Sequence, residues 1–306
     1  MASPQAEAFH EAVRQFREAA LGSGAIPTIE EMRAGAEASM QMVGIMPEGV
    51  NVTEIQVAGR RALQLDPVGA STDHVILYLH GGGYVMNSLE THKKLAAGVA
   101  AATGCRAISF DYRLAPEDPF PAAVDDALDA YRWLLANGYA PSRIAVSGDS
   151  AGGGLTVATL IAARDAGLAQ PAATATMSPW TDLEGTGATM TANEGVDLMI
   201  DRAAMTGIAA IYLTGADPRS ALASVIYADL QGLAPMYIQV GGHETLLDDS
   251  TRLAVRGAHA GVDVRLDVFP EMQHVFQSGL GMLPESDEAL SRIGAYLRGR
   301  FGLPPA

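Results

Sequence analysis

From about residue 50 onward, short apolar runs alternate with longer stretches of helical periodicity, and few folds accommodate that alternation. Strands are expected near 52–57, 62–65, 75–79, 106–111, 144–147, 172–177, 236–240 and 264–269. Helices are expected between most of them, at 90–102, 122–137, 150–166, 246–260 and 287–298. Strands separated by helices of about 10–15 residues build crossover units and a mainly parallel sheet. The first two runs have no helix between them, which suits an antiparallel start. Trp180 to Leu233 is too long for a plain crossover and reads as a helical piece inserted over one end of the sheet.

The first 50 residues read as helical. Phe9, Val13, Phe16 and Ala20 recur at helical spacing, as do Ile29, Met32, Ala36 and Met40, with Gly22, Gly24 and Pro27 punctuating between them. Met40, Met42 and Met46 follow closely, and methionine fills irregular gaps and tolerates movement. Two readings stand: ordinary core helices, or a mobile cap facing substrate.

The composition narrows the partners. The 306 residues include 20 basic and 35 acidic side chains, a net charge of −15. Such a surface repels phosphate backbones, so nucleic acid is not an expected partner. Cys105 is the single cysteine, which excludes an intramolecular disulfide and a cysteine-rich metal site. The stretch 166–181, which no stretch without Asp, Glu, Lys or Arg exceeds in length, contains Pro171 and Pro179 and is shorter than the roughly 18–20 apolar residues of a membrane span. The first residues have neither a basic start nor an apolar core, so the expectation is a soluble, cytoplasmic protein.

The strongest local signal begins at Arg143. An apolar strand runs into Gly148-Asp149-Ser150-Ala151-Gly152 and then straight into a helix. Gly-x-Ser-x-Gly between strand and helix is a nucleophile elbow, in which the serine sits on a strained turn above the sheet. The residues two before and two after crowd the backbone, where a β-carbon would clash. A second signal is His80-Gly81-Gly82-Gly83 at the end of a strand. Three glycines let backbone N–H groups turn toward one point, where they would stabilise the oxyanion of a tetrahedral intermediate. A phosphate loop would carry Gly-Lys-Ser/Thr, which is absent.

A nucleophilic serine needs a base, and the base an acid to orient it. On this kind of sheet the order is serine, acid, histidine. His243, His259 and His274 follow Ser150; His274 lies in a loop just past the strand at 264–269, at the strand end where catalytic groups gather. The acid belongs after the preceding strand, where Glu244, Asp248 and Asp249 compete. The two aspartates fall in the first turns of a predicted helix, where the macrodipole alone favours acids. Glu244 is the better candidate and Asp248 the reserve.

Taken together, these motifs resemble the bacterial hormone-sensitive-lipase-like esterases, an α/β-hydrolase family. The resemblance covers roughly 70–300. It also includes Asp111-Tyr112-Arg113-Leu114-Ala115-Pro116-Glu117, Ser178-Pro179-Trp180-Thr181-Asp182-Leu183 and His274-Val275-Phe276. It implies an eight-stranded, mostly parallel sheet flanked by helices. A lid would be built from cap helices in 1–50 and an insertion at about 181–230 of a catalytic domain spanning 51–306. It implies hydrolysis of short- to medium-chain carboxylic esters without a cofactor, and a homodimer through the edge strand. Ser150 would be the nucleophile, His274 the base and Glu244 the acid, with the N–H groups of Gly82, Gly83 and Ala151 holding the oxyanion. Many relatives have Asp-Pro-Leu where this chain has Glu244-Thr245-Leu246. Within the resemblance His80 would orient the glycine loop, Asp149 would bond locally around the elbow, and Arg113 and Glu117 would be structural. Two alternatives use the same fold: an amidase or lactonase with the same triad, and a non-catalytic small-molecule-binding protein.

Overall fold

Leu79, at the end of one central strand, is the register partner of Gly148 on the next, and the sheet is built outward from that pair. The computed structural model describes residues 2–21 and 28–305, with backbone alone for 16–21. Gly22, Gly24 and Pro27, and the side chains of Phe16 and Ala20, lie outside the described residues. The strands are β1 (Val50–Val57), β2 (Arg60–Pro67), β3 (Ser71–Leu79), β4 (Cys105–Phe110), β5 (Ile144–Asp149), β6 (Ala173–Met177), β7 (Met236–Gly241) and β8 (Val264–Phe269). They form one eight-stranded sheet in the order β1-β2-β4-β3-β5-β6-β7-β8. β1, β2 and β4 pair antiparallel and the rest parallel. The antiparallel start turns on Ala58 and Gly59, both at positive φ, in the two-residue loop that matches strand twist.

The helices are α1 (Pro4–Leu21), α2 (Ile29–Met42), α3 (Lys93–Thr103), α4 (Ala122–Ala136), α5 (Ala151–Asp165), α6 (Thr189–Ala192), α7 (Arg202–Leu213), α8 (Leu247–His259) and α9 (Pro284–Arg300). Alternate residues of β3 enter opposite layers. Val75, Leu77 and Leu79 join the cluster of α4, α5 and the inserted segment, while Ile76 and Tyr78 join that of α3 and α9. β5, β6 and β7 are buried along their whole length, as expected of parallel strands covered on both faces. α5 is buried all round, so it is apolar rather than amphipathic.

Several boundaries differ from the sequence reading, and at two of them a side-chain bond gives the reason. The helix expected at 90–102 starts at Lys93, because Ser88 and Thr91 bond each other's backbone and hold a turn instead. Asp111 falls outside β4, its carboxylate taking the N–H of Leu89.

α2 begins with a capping box between Thr28 and Glu31. It has no buried side chain and is held by polar anchors. The Arg33 guanidinium donates to the carbonyls of Val85 and Ala115 and pairs with Glu117. Met42 is 70% exposed, and Met46 packs against the α3–α9 layer. α1 packs through Ala6 and Phe9 against Phe269, Met272 and Phe276. In the interval after Trp180, α7 lays Ile208 on Gly83 and stacks Tyr212 on Tyr84, with ring centroids 4.0 Å apart. Among the described residues no helix is long and apolar enough to cross a membrane.

Candidate active site

Strand order reverses at β3: the next crossover leads to β4 on one side, and the one after it to β5 on the other. Parallel sheets open a crevice at such a switch point, beyond the carboxyl ends of the strands. The glycine loop leaves β3 there, and the elbow leaves β5 beside it. Ser150 has φ 53° and ψ −122°, a conformation that costs a non-glycine residue of order 1–3 kcal/mol. Its N–H bonds the Met177 carbonyl, and its own carbonyl accepts from the N–H of Trp180 and Gly154, so β6 and α5 hold the strained turn. A β-carbon on Gly148 would lie 2.4 Å from the Gly152 oxygen, and one on Gly152 2.1 Å from the Leu79 oxygen. The turn admits hydrogen alone at both positions.

The structure brings Ser150, His274 and Glu244 together. The Oγ of Ser150 lies 2.9 Å from Nε2 of His274, and Nδ1 of His274 lies 2.9 Å from Oε2 of Glu244. Glu244 is fully buried, and burial pushes its carboxyl up from the ordinary value. Bonds from His274, the Ser178 hydroxyl and the Gly241 N–H oppose that shift. On His274, burial pulls the imidazole down, but the bond and charge of Glu244, with the charges of Asp197 and Asp149, together leave it above the usual histidine value. An uncharged acceptor nitrogen facing a serine hydroxyl, with a carboxylate behind the ring, can take up a proton from that hydroxyl.

Asp248 stands elsewhere. Its carboxylate accepts from the Ala188 N–H and the Thr251 hydroxyl at the start of α8. Asp249 is buried against the backbone N–H groups of Thr181 and Asp182, and His259 is exposed. Gly81 lies against the serine turn, a β-carbon on it falling 3.1 Å from that of Ser150, with Gly82 and Gly83 next along the loop, and Ala151 directly follows the serine. Among the described residues no acceptor takes the N–H groups of Gly82, Gly83 and Ala151. α5 begins at Ala151, so the positive end of its dipole faces the same space.

Beneath the glycine loop lies a polar cluster that spacing could not reveal. Asp149 does not bond locally around the elbow: its Oδ1 accepts from Tyr78 at 2.7 Å and from the Gly81 N–H at 3.2 Å. Its Oδ2 lies 3.1 Å from Nε2 of His92. His80 Nδ1 bonds the Gly81 carbonyl, and its ring stacks on Tyr112. Burial, with His92 adding to it, pulls His80 down to about 3, so it stays neutral. Arg113 pairs with Asp126, and Glu117 with Arg33. His92 carries no motif signal. Ser178, just past the end of β6, could have been suspected, since functional groups gather at those strand ends. Among the described residues no group of three or more His, Cys, Asp or Glu side chains is placed to hold a metal ion.

Fold and site geometry together define an α/β hydrolase. A family model described as alpha/beta hydrolase fold matches residues 76–278. An acetyl-hydrolase of Streptomyces hygroscopicus is 38% identical over 302 residues, 99% of each chain. An esterase of Acinetobacter venetianus is 34% identical over 84% of this chain and 85% of its own. The crystal structure of an esterase from the bacterial hormone-sensitive lipase family superposes with a TM-score of 0.93 at 45% identity, covering 99% of this chain and 100% of that one. The chain belongs to the bacterial hormone-sensitive-lipase-like esterases, a family of serine hydrolases with this fold.

Proposed function

We propose that the protein hydrolyses carboxylic esters with short to medium acyl chains through an acyl-enzyme on Ser150. The observation that carries this reading is the continuous line of hydrogen bonds from Ser150 through His274 to Glu244, at 2.9 Å and 2.9 Å. The Ser150 oxygen attacks the ester carbonyl carbon as its proton passes to Nε2 of His274. Glu244 keeps the imidazole in the tautomer with Nδ1 protonated and stabilises the imidazolium that forms. The N–H groups of Gly82, Gly83 and Ala151 take the oxyanion. Preorganised donors of this kind contribute about 10²–10³ each in rate. The imidazolium then protonates the leaving alcohol, and water repeats the sequence to release the acid.

α2 and the segment after Trp180 act as the cap in this reading. Ile208 on α7 supports it, because it touches Gly83 directly. The name of the Streptomyces relative supports a small acyl group.

The test is Ser150→Ala against a nitrophenyl ester, with a fluorophosphonate label on the wild type. Turnover should fall to a residual about 10³-fold above water, and the label should attach to Ser150. Retention of more than about a few per cent of wild-type activity would remove Ser150 from the mechanism. Parallel rates on a nitroanilide and a lactone separate ester from amide and lactone hydrolysis. No label and no turnover would indicate a binding protein.

A further inference from the structure

Ser178 follows β6 and is completely buried. Its φ is 49°, and its N–H is anchored on the Gln239 carbonyl at 2.7 Å. Its hydroxyl makes two bonds with the candidate triad's supports. It donates to Oε1 of Glu244 at 2.7 Å and accepts from the N–H of Val275 at 3.1 Å. The directions are forced: a carboxylate can only accept and an amide N–H can only donate, so the single hydroxyl proton must point at Glu244. Val275 is the residue next to His274 and itself has φ 50°. One hydroxyl therefore joins the acid to the loop that carries the histidine.

Glutamate makes this junction matter. Its side chain has one more rotatable bond than aspartate, so a carboxylate on it has more orientations to lose. The Glu244 carboxylate is tied at both ends: Oε2 meets His274, while Oε1 is held by Ser178 and the Gly241 N–H. The charges of Glu244, Asp197 and Asp149 act on His274, and Glu244 bonds its ring.

Resting on the reading of Ser150, His274 and Glu244 as the reacting constellation, we infer that Ser178 is a positioning residue that fixes the Glu244 carboxylate and the His274 loop in one register. It touches no reacting atom and acts through Glu244 and, by the Val275 N–H, through the loop of His274.

The experiment is a double-mutant cycle of Ser178→Ala and Glu244→Gln in the full chain, assayed on a nitrophenyl ester. Ser178→Ala should lower kcat about 10- to 100-fold with KM nearly unchanged, the rate equivalent of losing one hydrogen bond to a charged group. The double variant should be slower than Glu244→Gln by clearly less than the factor that Ser178→Ala costs in the wild type, because the carboxylate the hydroxyl orients is gone and only its bond to the Val275 N–H is left to lose. A role confined to packing would instead make the two losses multiply, and that result overturns the inference. So would a Ser178→Ala kcat within about twofold of wild type. If Ser178→Ala does not fold, Ser178→Cys, with its weaker donor, carries the same cycle and the same two criteria. Wild-type rates for Glu244→Gln would overturn the acid assignment itself. A slow Glu244→Gln beside a fast Ser178→Ala would overturn the role of Ser178 alone.

Discussion

Ile208 on α7 and Gly83 in the glycine loop are in direct contact: a β-carbon on Gly83 would lie 2.5 Å from Cγ2 of Ile208. The segment inserted after β6 thus forms a wall beside Gly83, one of the proposed oxyanion donors. Tyr212, one turn further along α7, is stacked on Tyr84 and prevents that wall from drifting.

Ile208→Ala should therefore lengthen the accepted acyl chain. An apolar pocket gains about 0.8 kcal/mol per buried methylene, so kcat/KM should climb from acetyl toward hexanoyl until the wall blocks it. The truncation should move that block to longer chains and leave acetyl ester turnover within about threefold. Rates on a series of nitrophenyl esters check this. An unchanged profile would mean that Ile208 does not face the acyl chain.

The acid can be assigned by comparing two amides. Glu244→Gln should cost several orders of magnitude in kcat with folding little changed, because the amide favours the wrong imidazole tautomer. Asp248→Asn should cost less than about tenfold, since Asp248 bonds the backbone of Ala188 and the Thr251 hydroxyl rather than His274. Steady-state kinetics together with thermal melts separate the two effects; a reversed order would move the assignment to Asp248.

The pH profile should reflect the Glu244–His274 pair. As a base His274 must be neutral, and against burial the bond and charge of Glu244, with the charges of Asp197 and Asp149, hold its pKa above the ordinary value of 6.5. The rising limb of kcat/KM should accordingly lie above about pH 6.5 in the wild type. Removing the charge in Glu244→Gln should move the limb of the residual activity to lower pH. A limb that stays in place would show that the carboxylate does not act on the imidazole.

His80 should give the fold an acid sensitivity. It is buried, its Nε2 has no partner among the described residues, and burial holds it down at about 3. Once unfolded it takes up a proton near pH 6.5, so its contribution is fully present above that value. It is lost as pH falls toward 3, at about 1.4 kcal/mol per pH unit. His80→Asn, which cannot titrate, should be less stable by about 2 kcal/mol at pH 8 through loss of the ring packed on Tyr112. The gap should narrow as pH falls below about 6.5. Denaturant unfolding of both proteins at several pH values measures it, and a constant gap would exclude the effect.

What sequence alone determined is what depends on near neighbours. The inner strands β5, β6 and β7 fall where the apolar runs lie, because burial on both faces of a parallel strand demands a continuous apolar run. The elbow at Ser150 is legible because its Gly-x-Ser-x-Gly pattern is contiguous and Gly148 is required by the nearby Gly152 oxygen, although Gly152 is required by the distant Leu79 oxygen of β3. The loop position of His274 follows from the end of β8. Tertiary structure decided everything that depends on which strand ends adjoin. Only the pairing of β3 with β5 brings the glycine loop to the elbow, and only the β5-β6-β7-β8 order sets Ser178, Glu244 and His274 side by side. Asp149 reaches Tyr78, Gly81 and His92 rather than its sequence neighbours. α2 hangs on Arg33, and α7 rests on Gly83. A hydrogen bond spanning roughly three ångströms and many dozens of residues leaves no periodicity in the sequence, so the partners of residues such as Ser178 and His92 become visible only when the chain is folded.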